Sequence, residues 1–176
     1  MDFTTNLILK MQICIMGSEK TGKTDLLKWC ATNLQGEEKD DIKGESNDFI
    51  TKTMKYPFSQ QKIQVKIWDS VFKENSIPKK VMKTAMGFIV LADITDPGWE
   101  PKIKQINDKI KEQAPSNAVR ILVANKNDLD RKFTVVQANK LKEQLKFDDY
   151  EETSVKFGIN VQRLMDQLIS KIYFKL

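Results

Sequence analysis

One octapeptide near the N-terminus, Gly17-Ser18-Glu19-Lys20-Thr21-Gly22-Lys23-Thr24, constrains this chain more than any other stretch. It matches the pattern G-x-x-x-x-G-K-[ST], in which two glycines let a loop curl until its backbone N–H groups converge on phosphate oxygens. The pattern predicts that Lys23 reaches the outer phosphates and that the Thr24 hydroxyl takes one Mg²⁺ position. An apolar run over residues 7–16 and an apolar helical face after the loop supply the strand and helix that the motif requires. The alternative is a chance glycine-rich turn.

The composition predicts a globular domain and argues against several classes of function. The chain has 176 residues, of which 40% are hydrophobic and 30% charged, so we expect one domain over residues 1–176. The net charge of +5 comes mostly from lysines that alternate with acids, without the clustered basic stripe of a nucleic-acid-binding module. The absence of histidine excludes histidine-based catalysis, and Cys14 and Cys30 fall in predicted core elements. Because no signal peptide or membrane-spanning stretch is visible, we expect a cytoplasmic location.

Hydrophobic periodicity predicts six strands and about five helices. The strands are expected over residues 7–16, 49–56, 63–69, 86–92, 119–124 and 147–151. The helices are expected after the phosphate loop, around residues 79–84, before Pro115, from a capping box of Thr134 with Gln137, and over residues 161–172. A short turn joins the second and third strands, which predicts an antiparallel pair, and the later strands alternate with helices. The expected fold is a three-layer α/β domain with a mostly parallel six-stranded sheet.

Polar residues follow three of these strands, at the edge of the sheet where open α/β folds bind ligands. Asp69 follows the third strand, and a carboxylate facing Thr24 could hold Mg²⁺ directly or through water. Asn125-Lys126-Asn127-Asp128 follows the fifth strand, and Glu152-Thr153-Ser154-Val155-Lys156 follows the sixth. Singly, these could be a strand-end cap, a polar turn and a helix-entry loop. Together with the phosphate loop they are four matches in order, which favours a ligand site.

These motifs resemble the Ras superfamily of small GTPases, nearest to its Rab branch. Trp68-Asp69, Ala85-Met86-Gly87 and Asp93-Ile94-Thr95-Asp96 extend the resemblance over nearly the whole chain. It implies the P-loop small-GTPase fold, GTP or GDP with Mg²⁺ as ligands, Lys23 and Thr24 as catalytic residues, and Thr24 and Asp69 as metal ligands. The nucleotide contacts that it implies are Gly17, Glu19, Lys20, Thr21, Gly22, Lys23, Thr24, Asp69, Asn125, Lys126, Asp128, Ser154, Val155 and Lys156.

The resemblance also implies how guanine would be selected. Asp128 would accept hydrogen bonds from the guanine N1–H and exocyclic amine, whereas adenine presents the wrong donor pattern there. Asn125 would brace the loops, and the stem of Lys126 would lie on the ring. The backbone N–H of Val155, which replaces the usual alanine, would meet the guanine oxygen, with Ser154 and Lys156 supporting that loop.

The chain departs from the family pattern where the γ-phosphate would lie. Phe72 and Lys73 replace the glycine and glutamine of Asp-x-Ala-Gly-Gln, and lysine has no acceptor with which to orient a water. Gly44 aligns with the expected Mg²⁺-binding threonine, and Ser46 is the nearest hydroxyl, with its registration left open. Glu19 takes a position that is usually small, where a carboxylate would repel the γ-phosphate unless a lysine pairs with it.

We therefore expect a Rab-like switch in vesicle trafficking that binds guanine nucleotide and hydrolyses GTP slowly. The loops over residues 37–48 and 70–80 would contact effector or exchange-factor proteins. The alternative is a pseudo-GTPase interaction module that ignores nucleotide, which the absence of a C-terminal lipid-anchor cysteine supports. A small-molecule kinase is a third, weaker alternative. Attachment to endomembranes would then depend on partners, because we expect no lipid anchor in this chain.

Overall fold

The computed structural model describes residues 8–34, 49–55, 62–69 and 77–176. Its strands are β1 (Leu9–Gly17), β2 (Phe49–Lys55), β3 (Lys62–Asp69), β4 (Gly87–Asp93), β5 (Val119–Asn125) and β6 (Asp149–Thr153). Its helices are α1 (Lys23–Asn33), α2 (Lys79–Met82), α3 (Trp99–Gln113), α4 (Val135–Leu145) and α5 (Val161–Tyr173), with a 3₁₀ turn at Val155–Phe157. In these ranges six strands and five helices follow in the predicted order, with β2 and β3 consecutive and the other strands separated by helices.

The strands form one sheet in the order β2-β3-β1-β4-β5-β6. Only β2 and β3 are antiparallel, with Phe49 opposite Trp68, and every other neighbouring pair is parallel. The register places Asp69 beside Ile15 near the carboxyl end of β1. The predicted α/β fold with a mostly parallel sheet is confirmed.

Helices cover both faces of the sheet and divide the core into two clusters. On one face α1 and α5 pack on the sheet through side chains such as Leu26 and Leu168. On the other face α2, α3 and α4 pack through side chains such as Met82 and Ile103. The strand β4 supplies alternate residues to each cluster, which explains why its sequence is one continuous apolar run.

The largest error in the predicted elements concerns the last strand. We expected it over residues 147–151, but β6 runs from Asp149 to Thr153. The reason is local, because the N–H of Phe147 donates to the carbonyl of Lys142 and closes the end of α4. As a consequence, Thr153 belongs to the strand and Ser154 begins the loop.

Other boundaries differ by one or two residues. The strand β1 begins at Leu9 and ends at Gly17, β4 begins at Gly87, and α2 stops at Met82. The predicted capping box at the start of α4 is confirmed. Gln137 N donates to Thr134 Oγ1 at 3.2 Å, and Thr134 N donates to Gln137 Oε1 at 2.8 Å.

Candidate functional site

The phosphate loop connects the end of β1 to the start of α1, so its position is set by the central strand of the sheet. A Cβ on Gly17 would lie 2.8 Å from the carbonyl oxygen of Leu91, which leaves no room for a side chain. Gly22 has a φ of +97°, and a Cβ there would lie 2.4 Å from Asn125 Nδ2. Both glycines of the motif are therefore required by close approach, and Gly22 also by its backbone conformation.

Lys23 folds back over the loop that precedes it. Its Nζ donates to the Ser18 carbonyl at 2.6 Å, and the side chain is buried although it carries a charge. Burial lowers the pKa of Lys23, and the negative charges of Asp69 and Glu19 oppose that shift. The ammonium group is therefore held over the loop, and two carboxylates lie close enough to affect its pKa.

Thr24 and Asp69 meet at the opening of the loop. Thr24 Oγ1 donates to Asp69 Oδ2 at 3.0 Å, although 45 residues separate the two in sequence. Asp69 ends β3 and is buried, whereas Thr24 is half-buried in the first turn of α1. A hydroxyl and a carboxylate at this spacing are oxygen ligands of the kind that Mg²⁺ prefers.

Asn125, at the end of β5, joins the phosphate loop to the loop after β6. Its Nδ2 donates to the Thr21 carbonyl at 2.8 Å. Its Oδ1 accepts from Thr153 Oγ1 and from the backbone N–H of Val155, both at 3.1 Å. All these residues are buried, so water does not reach their polar atoms, and these hydrogen bonds satisfy them instead. Asn125 therefore links the phosphate loop to the end of β6 and the loop after it, while its part in nucleotide binding stays a prediction.

The same hydrogen bond changes the expectation for Val155. We predicted that its N–H would meet a guanine oxygen, but in the structure this N–H donates to Asn125 Oδ1. A base oxygen would have to share this donor. The sequence could not reveal the hydrogen bond, because it joins residues 30 positions apart.

Two side-chain contacts help to hold the loop after β5. Ser154 Oγ donates to Asp128 Oδ1 at 2.5 Å, which fixes the orientation of the carboxylate. Lys126 Nζ binds Asp93 Oδ2 at 2.5 Å, and Lys126 has a φ of +70°. Although burial raises the pKa of Asp93, hydrogen bonds from Lys126 and Thr95 hold it below its usual value. Asp93 lies in one of the motifs that carry the family resemblance, but no role was predicted for it.

A cavity of about 590 Å³ lies between these loops and α1. Its lining brings together Gly22, Asn125, Lys126, Asp128, Val155 and Lys156, all of which the sequence analysis selected. It also includes Asp25, Lys28, Trp29 and Thr32 of α1, which the sequence analysis did not select. Their helical spacing predicts that they share one face of α1, but only the structure shows that this face lines a cavity.

Several predicted features lie outside the described residues. These are Gly44 and Ser46 in the first loop, Phe72 and Lys73 in the second, and the interaction loop over residues 37–48. Of the second interaction loop, only residues 77–80 are described, where Pro78 precedes the short helix α2. In the described ranges no helix is both long and apolar enough to cross a membrane.

Comparison with known proteins gives consistent matches along the chain. The model of the Ras family matches residues 12–174. The chain is 31% identical to the Ras-related protein Rab-3C of Bos taurus, over 97% of this chain and 75% of that protein. It is 30% identical to the Ras-related protein Rab-12 of Homo sapiens, over 95% of this chain and 68% of that protein. It is 28% identical to the Ras-related protein RabC of Dictyostelium discoideum, over 92% of this chain and 83% of that protein.

Proposed function

This chain belongs to the Ras family and is similar to its Rab members, and on that premise we propose a guanine-nucleotide switch with weak hydrolysis. It would bind GDP and GTP with Mg²⁺, and its role would lie in vesicle trafficking. The observation that carries the proposal is the buried Asn125, which hydrogen-bonds the phosphate loop and the loop after β6 at once. A nucleotide spans these two loops, so their mutual position determines its binding.

The base specificity would come from Asp128. Its side chain is exposed at the rim of the cavity, and Ser154 Oγ occupies one acceptor site of Oδ1. An ionised carboxylate has about four lone-pair sites, so Asp128 retains acceptors for an N–H and an amine on the same edge of a base. Guanine offers that pair of donors. Lys126, which Asp93 holds at the same rim, would cover one face of the ring.

Magnesium would be held by Thr24 and Asp69. Their 3.0 Å hydrogen bond brings two oxygen ligands together beside the start of α1. Among the described residues no three Asp, Glu, Cys or His side chains converge, and Mg²⁺ commonly completes its shell with water and phosphate oxygens. When bound, the ion would neutralise charge that develops on the transferred phosphoryl group, and Lys23 would bind the outer phosphates.

Slow hydrolysis is proposed from residues around the γ-phosphate position. Lys73 cannot orient a water through an acceptor, and Phe72 restricts a backbone position that is usually glycine. In the described part of the site, Glu19 is exposed on the phosphate loop, and its charge acts on Lys23. Since positioning and charge carry phosphoryl transfer, loss of the water-orienting group lowers the rate on the order of 10³-fold.

The test begins with the nucleotide content of the purified protein and its affinity for GDP and a GTP analogue in the presence of Mg²⁺. We expect guanine nucleotide to bind, with GDP at least as tight as GTP, and single-turnover hydrolysis to be slow. The matched variant combines Phe72→Gly with Lys73→Gln and should hydrolyse GTP faster with unchanged GDP affinity. A wild-type rate equal to that of this variant would contradict the slow-hydrolysis proposal.

The partner surface needs a separate measurement. The loops over residues 37–48 and 70–80 contain the positions that align with the family's γ-phosphate and Mg²⁺ contacts. Partners that bind these loops should therefore distinguish the GDP-loaded from the GTP-loaded protein. Capture of interacting proteins on each loaded form would measure this. Partners that bind both forms and the nucleotide-free protein equally would instead favour the alternative function, an interaction module that ignores nucleotide.

A further inference from the structure

One face of α1 forms a wall of the cavity, and the loops after β5 and β6, called the base loops from here on, line the other side. Asp25, Trp29 and Thr32 lie at helical spacing and all contribute to that wall. The opposite face of the helix, with Leu26, Leu27 and Cys30, is buried in the core. The orientation of α1 is therefore fixed by packing, and its cavity-facing side chains have a defined place.

Trp29 is the only aromatic residue in this lining among the described residues. It is half-buried and packs against the core cluster beneath α1. A Cβ on Gly158 would lie 3.0 Å from Trp29 Nε1, so the indole edge rests against the turn that follows Val155. Gly158 also has a φ of +69°, a backbone conformation that favours glycine. Trp29 is thus held between α1 and the loop expected to contact the base.

We propose that Trp29 is a base-contacting residue whose indole packs against the purine of the bound nucleotide. The cavity of about 590 Å³ falls in the range of about 300–1,000 Å³ that is typical of small-molecule sites. Trp29 and Asp128 line the same cavity, and the proposal places the base between this carboxylate and the indole. This inference rests on the proposed guanine-nucleotide binding, and it assigns to α1 a part in holding the base as well as the phosphates.

The contact should contribute to affinity and should be visible by fluorescence. Aromatic contact with a base changes affinity by about tenfold when the ring is removed. Trp29→Leu should therefore weaken GDP and GTP by the same factor, about tenfold, because the indole lies beside the base loops. Trp29→Phe keeps an aromatic ring and should restore most of the affinity. The indole emission should change when the wild-type protein binds GDP.

The experiment measures GDP and GTP-analogue binding by calorimetry, which does not depend on the indole, and follows emission in parallel. The matched control is Trp99→Phe, since Trp99 stacks on Phe133 at 4.0 Å and does not line the cavity. We expect the emission change to persist in Trp99→Phe and to be reduced in Trp29→Phe, where Trp68 beside Asp69 still contributes to the emission, while calorimetry still detects binding. Thermal melting without nucleotide separates a folding defect from a binding defect, and Trp29→Leu should melt close to Trp29→Phe.

The outcomes separate this inference from the proposed function. If the wild-type protein binds GDP but Trp29→Leu binds it equally well, the role of Trp29 is wrong and the proposed function stands. If Trp29→Phe binds as weakly as Trp29→Leu, aromatic contact is likewise excluded. If calorimetry detects no binding of guanine nucleotide to the wild-type protein, the proposed function and the role of Trp29 are both wrong.

Discussion

Replacing Asn125 by alanine tests whether one buried side chain holds the two halves of the site together. Asn125 makes three hydrogen bonds, to Thr21 O at 2.8 Å and from Thr153 Oγ1 and Val155 N at 3.1 Å each. Each buried hydrogen bond contributes about 1 kcal/mol net, so the substitution should lower the free energy of unfolding by about 3 kcal/mol. For a domain of this size that corresponds to a fall in melting temperature of about 6–12 °C.

The measurement is thermal melting of the nucleotide-free protein, followed by GDP titration. The control is Asn139→Ala, because Asn139 Nδ2 donates to the Val135 carbonyl on the exposed face of α4. Exposed substitutions of this kind change stability by about 0.5 kcal/mol or less. Asn125→Ala should also lower the affinity for GDP, because the hydrogen bonds that link the phosphate loop to the base loops are lost. A melting temperature within about 2 °C of Asn139→Ala would refute the argument.

Three further predictions concern single charges. Asp128→Asn should lower the affinity for GDP on the order of 10²-fold or more, because two charge-assisted hydrogen bonds are lost. The variant should instead favour xanthosine diphosphate, because the xanthine C2 oxygen can accept a hydrogen bond from the new amide. Competition binding between the two nucleotides would measure this change. Glu19→Ala should raise the affinity for a GTP analogue relative to that for GDP on the order of fivefold, by removing a negative charge near the γ-phosphate position. An unchanged ratio of the two affinities would exclude that repulsion. The lowered pKa of Asp93 stabilises the fold above the ordinary carboxyl pKa, and this contribution disappears as pH falls through the folded pKa. Asp93→Asn should therefore flatten the acid side of a stability profile measured by denaturant unfolding.

The fold, and the positions of the candidate residues at one edge of the sheet, could be predicted because their signals are local. The phosphate loop is one continuous stretch, and β4 is recognisable as a buried strand from its own composition. The side chains of Thr24 and Asp69 were expected to meet because parallel strands end at the same edge of the sheet. Their 3.0 Å hydrogen bond agrees with that geometric argument.

Other features depend on pairs that no local pattern encodes. The placement of β6 is decided by the hydrogen bond from Phe147 to Lys142, and apolar composition alone cannot reveal it. The ion pair of Lys126 with Asp93 joins residues at the ends of two different strands. Similarly, the sequence predicts an apolar face for α1, but sequence spacing does not say where a packed face ends and a cavity wall that includes Trp29 begins.

From the hydrogen bonds of the described site we expect nucleotide binding and γ-phosphate chemistry to depend on different residues. Asn125, Thr21 and Val155 form one buried set of contacts, and none of these contacts involves Glu19, Phe72 or Lys73, where the chain departs from the family pattern near the γ-phosphate position. A substitution at those positions can therefore alter hydrolysis while the phosphate loop and the base loops keep their relative position. A loss of Asn125, by contrast, should affect every nucleotide equally, whatever its number of phosphates. Binding and hydrolysis are thus expected to respond to different parts of this chain, and a switch can keep its ligand after its hydrolytic residues have changed.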